Sequence, residues 1–195
     1  AIREEDVKLA SEWSAENGFD TILSTDGDSD RPLVSDENGV WLRGDVACIL
    51  AAKYLGADSA STPVSCNTAL EKCGWFADIR RTKIGSPFVV ASMIEASFSG
   101  CKGVIGYEAN GGCLTASDIA MDGQVLTALP TRDAVIVPLT ILLMAAQAGS
   151  TISELLTTLP QRFTSSGRLK AFPAELSQSK LSALNSGSVA QDIAA

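Results

Sequence analysis

Short strand-like segments alternate with helical segments between about residue 40 and about residue 158, and few folds accommodate such an alternation. Helical periodicity begins at Gly44-Asp45, whereas residues 57–63, 75–82 and 102–107 have the pattern of short strands. A chain that alternates strands and helices builds a layered fold in which helices cover the faces of a sheet. The sequence therefore predicts an α/β domain, a layered sheet with flanking helices, over residues 40–158.

Several helix starts are marked by residues that can satisfy the unpaired amides of a first turn. Ser86-Pro87 predicts an N-cap followed by the first helical position, and Asp133 predicts the N-cap of an apolar helix over residues 134–148. Thr151 and Glu154 have the spacing of a capping box, in which side chains and backbone amides bond reciprocally. These signals divide the second half of the domain into separate helices.

The N-terminal segment is organised differently. Residues 3–17 have helical periodicity and end at Gly18, and residues 19–25 then predict a strand that delivers Asp26 at its C-terminal end. Ligands of α/β proteins bind at such strand ends. Polar residues 36–38 separate two apolar runs and indicate a hairpin. Three residues on one stripe of the helix predict its buried face: Val7, Ala10 and Trp13.

The charge and the apolar pattern restrict the partners. The formal net charge is −8 at pH 7 and the pI is near 4.5, whereas nucleic-acid contact depends on Lys and Arg. We therefore expect no nucleic-acid partner.

The longest apolar run, residues 134–146, contains Pro138 and is too short to span a bilayer. Because the first residues lack the pattern of a secretion signal, we expect no membrane contact.

The chain contains no histidine, and its five cysteines have no Cys-x-x-Cys spacing. These features exclude the usual zinc sites and the pairs of histidine with a nucleophilic serine or cysteine. Proton transfer would then depend on lysine, a carboxylate or water. Thiols in apolar segments, such as that of Cys48, behave as small hydrophobic groups and favour a reducing, cytoplasmic compartment.

Three aspartates alternate in the segment Asp26-Gly27-Asp28-Ser29-Asp30-Arg31, directly after the predicted strand. Carboxylates at this spacing, with a glycine that permits tight curvature, can direct oxygens to one hard divalent cation. An EF-hand is excluded because Arg31 occupies the position at which that loop needs glycine. The Asp-x-Asp loop of the haloacid-dehalogenase-like phosphatases, whose first aspartate is the nucleophile, remains an alternative.

The acidic segment resembles the magnesium loop, Asp-Gly-Asp-x-Asp-Arg, of the α-D-phosphohexomutases, the family of phosphomannomutases and phosphoglucomutases. Three further segments follow in that family's order: Gly44-Asp45, residues 81–86 and residues 106–112. The last of these, Gly-Tyr-Glu-Ala-Asn-Gly-Gly, departs from the family's usual Gly-Glu-Met-Ser-Gly-His. The resemblance implies a fold like the family's third domain, preceded by a helix–strand remnant of its second domain.

The resemblance also implies the organisation of the chain and its site. Residues 1–39 would end the metal-loop domain, residues 40–158 would form the sugar-recognition domain, and residues 159–195 would be a linker or a truncated C-terminal domain. Arg31 would hold a phosphoryl oxygen, and Glu108 would accept hydrogen bonds from two sugar hydroxyls. The implied site residues form three groups: Asp26, Asp28 and Asp30 as Mg²⁺ ligands, Arg31 and Lys83 as catalytic residues, and Glu108, Asn110 and Gly111 as substrate-binding residues.

The implied activity is intramolecular phosphotransfer that interconverts hexose 6-phosphate and hexose 1-phosphate, of mannose or glucose, through a phosphoserine and a bisphosphate. The family's Thr-x-Ser-His-Asn-Pro segment is not found, so we expect the chain alone to be inactive. Its expected partners are a phosphorylated hexose and the remaining domains of the same enzyme. A non-catalytic sugar-phosphate-binding module is the alternative from a different functional class.

Overall fold

A four-stranded sheet forms the centre of the larger of two units. The computed structural model describes residues 3–165, 167, 171–185 and 187–188, and the chain divides into the units Ala1–Phe163 and Thr164–Ala195. In chain order the elements are α1 (Glu4–Asn17), β1 (Leu23–Thr25), β2 (Pro32–Val34), α2 (Gly44–Tyr54), β3 (Ser59–Pro63), α3 (Ala69–Lys72), β4 (Asp78–Thr82), α4 (Ser86–Phe98), β5 (Val104–Tyr107), β6 (Cys113–Thr115), β7 (Ile119–Met121), β8 (Gln124–Leu126), α5 (Ile136–Ala148), α6 (Ile152–Leu156) and α7 (Ala174–Ala183).

The central sheet has the strand order β4-β3-β5-β6. β3 runs parallel to both of its neighbours, and β6 runs antiparallel to β5. Because the three parallel strands share a direction, the loops that follow Pro63, Thr82 and Tyr107 leave the sheet at the same edge. The arrangement confirms the predicted α/β class and gives the sheet a carboxyl edge, where ligands of such folds bind.

Helices cover both faces of this sheet, because alternate residues of each strand point to opposite sides. On β5, Ile105 and Tyr107 belong to the core that includes α2 and α5, whereas Val104 packs with α4. α2 contacts the sheet, and α5 packs on α2. The first unit therefore forms three layers, in which buried apolar residues on each face of the sheet pack against one layer of helices.

Gly106 sets the distance between β5 and α4. A Cβ at this position would overlap the sulfur of Met93 and would lie 2.6 Å from Cγ1 of Val89. Both of these α4 residues are fully buried. The helix therefore lies close to the strand because residue 106 has no side chain.

The predicted buried face of α1 is wrong for two of its three residues. Val7 and Trp13 are 46% and 45% exposed, whereas Ala10 and Ser14 are buried. α1 meets the following segment by close backbone approach, since a Cβ on Gly39 would lie 2.6 Å from the carbonyl carbon of Ala10. This approach requires residue 39 to lack a side chain.

The predicted strand at residues 19–25 is reduced to the short strand β1, and β1 joins a separate two-stranded sheet with β2. The predicted hairpin around residues 36–38 contains only one ladder pair, Ser35 with Trp41. Asp36 explains its shortness, because its Oδ1 accepts hydrogen bonds of 2.9 Å from the amides of Asn38 and Val40. The amide of Val40 therefore bonds to a side chain and not to the opposite strand, so the ladder ends beside the turn.

The predicted helix caps are partly confirmed. Thr151 and Glu154 form the complete capping box at the start of α6. The prediction of Asp133 as the N-cap of α5 is wrong by two residues, because Val135 is the N-cap and no side chain caps the helix. The Oδ1 of Asp133 instead accepts hydrogen bonds from the amides of Val135 (2.7 Å) and Ile136 (3.1 Å) in the turn that leads into α5. The prediction for α4 is wrong by one residue, because Gly85 is the N-cap and no side chain caps this helix. The proline in its first turn already removes one donor that would need a cap.

The second unit, Thr164–Ala195, contains α7, none of whose described residues is buried. All five cysteines, which lie in the first unit, are free thiols. Across the described residues, no helix combines the length and the apolar character needed to cross a membrane.

A carboxylate links the hairpin turn to α6 and makes the stability of this contact depend on pH. Glu37 accepts hydrogen bonds from the hydroxyl and the amide of Ser153. Burial acts to raise the pKa of Glu37, but the hydrogen bonds prevail and lower it from 4.5 to about 2. A carboxyl group with a lowered folded-state pKa contributes stability above its unfolded pKa, and this contribution is lost as the pH falls towards the folded pKa.

We therefore expect Glu37→Gln to lower the melting temperature at pH 6 and to have a smaller effect at pH 3. Melting curves by circular dichroism at pH 6, 4 and 3 would measure the difference. Glu16→Gln, at an exposed position of α1, is the matched control and should change the melting temperature little at any pH. An equal loss at pH 6 and pH 3 for Glu37→Gln would contradict the assignment.

Candidate functional site

The acidic loop, residues 26–31, connects β1 to β2 and carries the three predicted metal ligands. The two strands pair antiparallel, so the loop is the tip of a hairpin. Asp26, Asp28 and Asp30 each offer one carboxylate oxygen, and these oxygens all lie within 4.8 Å of one another. Because a hard divalent cation binds oxygens at about 2.0 to 2.6 Å, one ion between them could contact all three after small side-chain movements.

The backbone of the acidic loop turns sharply enough to bring alternate side chains together. Ser29 has a φ of 60°, a left-handed conformation that is uncommon for residues other than glycine. Its amide donates to the carbonyl of Asp26 over 3.1 Å, and the amide of Asp26 donates to the carbonyl of Arg31 over 3.2 Å. The loop is thus closed by its own hydrogen bonds, and its conformation resembles the strained backbone common at functional sites.

Arg31 binds within its own loop. Its Nε lies 2.8 Å from Oδ2 of Asp26 and 3.0 Å from Oδ1 of Asp30. The hydrogen bond with Asp30 raises the pKa of Arg31. The guanidinium therefore offsets part of the repulsion among the three carboxylates.

The glycine turn, residues 108–112, follows β5 at the carboxyl edge of the sheet. Glu108 is buried, and its amide donates to the carbonyl of Gly112, while the amide of Gly111 donates back to the carbonyl of Glu108. Asn110 is exposed, and its Oδ1 accepts a hydrogen bond of 3.0 Å from the amide of Gly112. The turn is therefore internally hydrogen-bonded, with Glu108 held on its inner side.

Gly44, at the start of α2, places the glycine turn against the base of the acidic loop. A Cβ on Gly44 would lie 2.6 Å from the Cα of Gly111, and a Cβ on Gly111 would lie 3.2 Å from the carbonyl oxygen of Pro32. Gly111 also has a φ of 91°, which side chains rarely permit. Three chain segments thus meet at a point where only glycine fits.

Arg132 connects the glycine turn to the acidic loop. Its Nη1 lies 2.8 Å from Oδ2 of Asp30, and its Nη2 lies 2.7 Å from Oε2 of Glu108. No motif in the sequence pointed to this residue. The signal available was its position directly before Asp133, whose side chain accepts hydrogen bonds from two amides of the turn that leads into α5.

The site has an excess of negative charge. Four carboxylates, those of the three loop aspartates and of Glu108, contact two guanidinium groups, those of Arg31 and Arg132. Hydrogen bonds from Arg132 and then from Arg31 lower the pKa of Asp30, and the bond to Glu108 raises the pKa of Arg132. Counted as formal charges, the four carboxylates exceed the two guanidinium groups by two negative charges, which matches the charge of a divalent cation.

Lys83 lies at the same edge of the sheet but outside this ion-pair network. It follows β4, is exposed, and its Nζ lies 5.7 Å from the centre of the Phe88 ring. Among the described residues, no carboxylate oxygen lies within 4.0 Å of this ammonium group. β3 separates β4 from β5, so the sheet order places Lys83 and Glu108 two strands apart.

An open groove of about 480 Å³ lies beside the network. Asp30 and Arg132 form part of its wall, together with Leu114 and with Ser86 and Pro87 at the start of α4. The groove therefore combines one charged wall with apolar surface, which is typical of binding sites for small polar molecules.

Comparison with known proteins connects this geometry to a family. The sequence pattern of "Phosphoglucomutase/phosphomannomutase, alpha/beta/alpha domain III" matches residues 43–163. The phosphomannomutase of Salmonella muenchen is 43% identical over 180 residues, which are 92% of this chain and 37% of that protein. The phosphomannomutase of Sinorhizobium fredii is 38% identical over 177 residues, which are 91% of this chain and 37% of that protein. The chain thus spans just over a third of the length of these curated relatives.

A solved structure supports the fold. The crystal structure of a phosphoglucomutase/phosphomannomutase family protein from Burkholderia thailandensis aligns with a TM-score of 0.61 and 18% identity, over 84% of this chain and 33% of that chain. At this identity the similarity concerns the fold alone. It confirms the α/β architecture predicted from the alternation of strands and helices.

The contact between α2 and the glycine turn leads to a stability prediction. Gly44→Ala would place a methyl group 2.6 Å from backbone atoms of Asn110 and Gly111, and these atoms cannot rotate away. We expect a loss of about 1 to 3 kcal/mol in the free energy of unfolding, measured by urea denaturation. Gly27→Ala is the matched control, because a Cβ on Gly27 would meet nothing within 4 Å. Similar stabilities for the two variants would rule out a close contact at Gly44.

Proposed function

The chain belongs to the phosphoglucomutase/phosphomannomutase family, and from this premise we propose that it carries the cation site and part of the sugar-binding site of an enzyme that interconverts hexose 6-phosphate and hexose 1-phosphate. The observation that carries the proposal is the ion-paired contact between the acidic loop and Glu108, made by Arg132. It brings together a site for a cation and a carboxylate suited to sugar hydroxyls. Family membership replaces the haloacid-dehalogenase alternative.

The acidic loop fits Mg²⁺ in its chemistry. Its three carboxylates are oxygen donors, Asp28 has a side chain that is 70% exposed, and the local charge is negative. Asp26, Asp28 and Asp30 would hold the ion. When bound there, the ion would polarise a phosphoryl oxygen and offset its negative charge, which is the main requirement of phosphoryl transfer.

The remaining proposed roles follow from where the polar groups lie. Arg31 is placed beside the carboxylates to contact a phosphoryl oxygen as well, and a guanidinium can do so through two N–H groups. Lys83, exposed at the carboxyl edge, would contact a phosphate or a sugar hydroxyl. Glu108 has Oε1 available to accept from a hydroxyl while Oε2 stays bonded to Arg132. Asn110 and Gly111 would present polar atoms of the glycine turn to the sugar.

The substrates we propose are mannose and glucose phosphates, with mannose supported by the phosphomannomutase relatives. The phosphoserine would belong to the remaining domains of the same enzyme, since the chain corresponds to 37% of those relatives. The boundaries at residues 1–39, 40–158 and 159–195 stay predictions. A reducing, cytoplasmic compartment is consistent with five free cysteines.

A charge-removing variant tests the cation site. Asp28→Asn removes one formal charge and one strong oxygen ligand, so we expect the dissociation constant for Mg²⁺ to rise about tenfold or more, by isothermal titration calorimetry. Asp122→Asn changes an exposed aspartate in the turn between β7 and β8 and should bind Mg²⁺ as the unaltered chain does. If Asp28→Asn and Asp122→Asn bind Mg²⁺ equally well, the cation site is assigned wrongly.

A second experiment tests whether the phosphoryl donor belongs to the remaining domains of the enzyme. We expect this chain alone to convert no mannose 1-phosphate to mannose 6-phosphate, because the phosphoryl donor and the opposite wall of the cleft would come from the remaining domains. A coupled assay of the purified chain with Mg²⁺ and glucose 1,6-bisphosphate would measure this. Turnover above the background without protein would refute the proposal that the donor lies elsewhere.

A further inference from the structure

Arg132 is the only described residue whose side chain forms ion pairs with both the acidic loop and the glycine turn. It lies 102 positions from Asp30 and 24 positions from Glu108 in the chain. Each terminal nitrogen of its guanidinium donates to a different carboxylate, at 2.8 Å and 2.7 Å. Because the guanidinium is planar and rigid, movement of one carboxylate reorients the whole group and changes the hydrogen bond to the other carboxylate.

The surroundings of Arg132 hold it in this bridging position. A Cβ on Gly112 would lie 2.7 Å from Cδ and 2.9 Å from Nε of Arg132, so the glycine turn leaves space for this side chain. Its Nε is buried and has no hydrogen-bond partner among the described residues. The side chain is only 26% exposed. A buried donor without a partner is costly, so the guanidinium is kept here by its two carboxylates and by packing.

Asp30 accepts hydrogen bonds from both arginines of the site. Its Oδ1 accepts from Nε of Arg31, and its Oδ2 accepts from Nη1 of Arg132. A cation that uses Asp30 as a ligand must therefore compete with, or tolerate, a positive charge within hydrogen-bond distance of that carboxylate. Glu108 reduces this competition with the cation, because its carboxylate attracts the guanidinium of Arg132 and offsets its positive charge.

We propose that Arg132 is a positioning residue that couples the cation affinity of the acidic loop to the sugar-binding carboxylate Glu108. The proposal rests on the proposed function of both loops. Arg132 weakens cation binding through its contact with Asp30, and the ion pair with Glu108 limits that effect. A change at Glu108, such as a hydrogen bond to a sugar hydroxyl, thus alters the strength of the ion pair between Arg132 and Asp30. The affinity of the acidic loop for the cation changes as a result.

The proposal predicts opposite effects of two substitutions on Mg²⁺ binding, measured by isothermal titration calorimetry with MgCl₂ alone. Arg132→Met removes a positive charge beside Asp30, so the dissociation constant should fall about threefold or more. Glu108→Gln removes the carboxylate that offsets the charge of Arg132, so its guanidinium pairs with Asp30 alone. The dissociation constant for Mg²⁺ should therefore rise about threefold or more. A merely structural role for Arg132 would weaken binding when the residue is removed, and this result would overturn the proposal.

A double-mutant cycle isolates the coupling. When Arg132→Met and Glu108→Gln are combined, the effect of Glu108→Gln on Mg²⁺ affinity should shrink to less than about twofold, because the residue that transmits it is gone. An effect of Glu108→Gln that is the same with and without Arg132 would overturn the coupling. Arg132→Lys keeps the charge but cannot donate to both carboxylates with a planar fork, so it should abolish the Glu108→Gln effect while retaining nearly the original affinity. If melting curves show that Arg132→Met does not fold, Arg132→Lys alone decides the outcome.

Arg80 provides the matched control. Its Nε lies 2.6 Å from Asp78, and its side chain is 25% exposed, but it lies at the middle of β4, before the carboxyl end of the strand. Arg80→Met should leave the dissociation constant within about twofold of the original value. If the unaltered chain does not bind Mg²⁺, the proposed cation site fails and the inference fails with it. If the unaltered chain binds Mg²⁺ and folded Arg132→Met binds it equally, only the inference is overturned.

Discussion

Direct backbone contact between Gly44 and Gly111 is the constraint on which the site depends. It brings the start of α2 against the glycine turn, and the same turn lies against Pro32 at the base of the acidic loop. The thiol of Cys48 donates to the carbonyl of Gly111 over 3.4 Å and adds a second link between helix and turn. A side chain at either glycine would separate these segments. The carboxyl edge of the sheet therefore meets a hairpin that belongs to a different sheet.

Charge balance then determines how the acidic groups can share so small a volume. The three loop carboxylates would repel one another strongly without compensation, and Arg31 and Arg132 offset this repulsion through ion pairs of 2.8 to 3.0 Å with Asp26 and Asp30. The two arginines leave an excess of negative charge at the loop, which suits the divalent cation proposed for it. The same ion pairs hold the two loops together and leave part of the carboxylate charge without a positive partner, which is the basis of the proposed chemistry.

The parts of the fold that were predicted correctly depend on local rules. The capping box of Thr151 and Glu154 involves residues three positions apart, and the alternation of strands and helices follows from periodicity along the chain. One error concerns a contact between distant segments, and another concerns a local turn that strand periodicity does not reveal. The buried face of α1 depends on the approach of Gly39, and the short hairpin depends on hydrogen bonds accepted by Asp36. Periodicity contains no information about which neighbour a helix or strand meets.

The sequence by itself determined the α/β class, the grouping of Asp26, Asp28 and Asp30 in one loop and the resemblance to a family. Each of these depends on spacing over a few residues or on the order of short motifs. Only the tertiary structure decided that Glu108 is buried and that Arg132 joins it to Asp30. Those ion pairs link residues up to 102 positions apart, and their geometry follows from the packing of glycines at 44, 111 and 112. Long-range electrostatic contacts arise from three-dimensional packing, because no local pattern specifies which charges will meet.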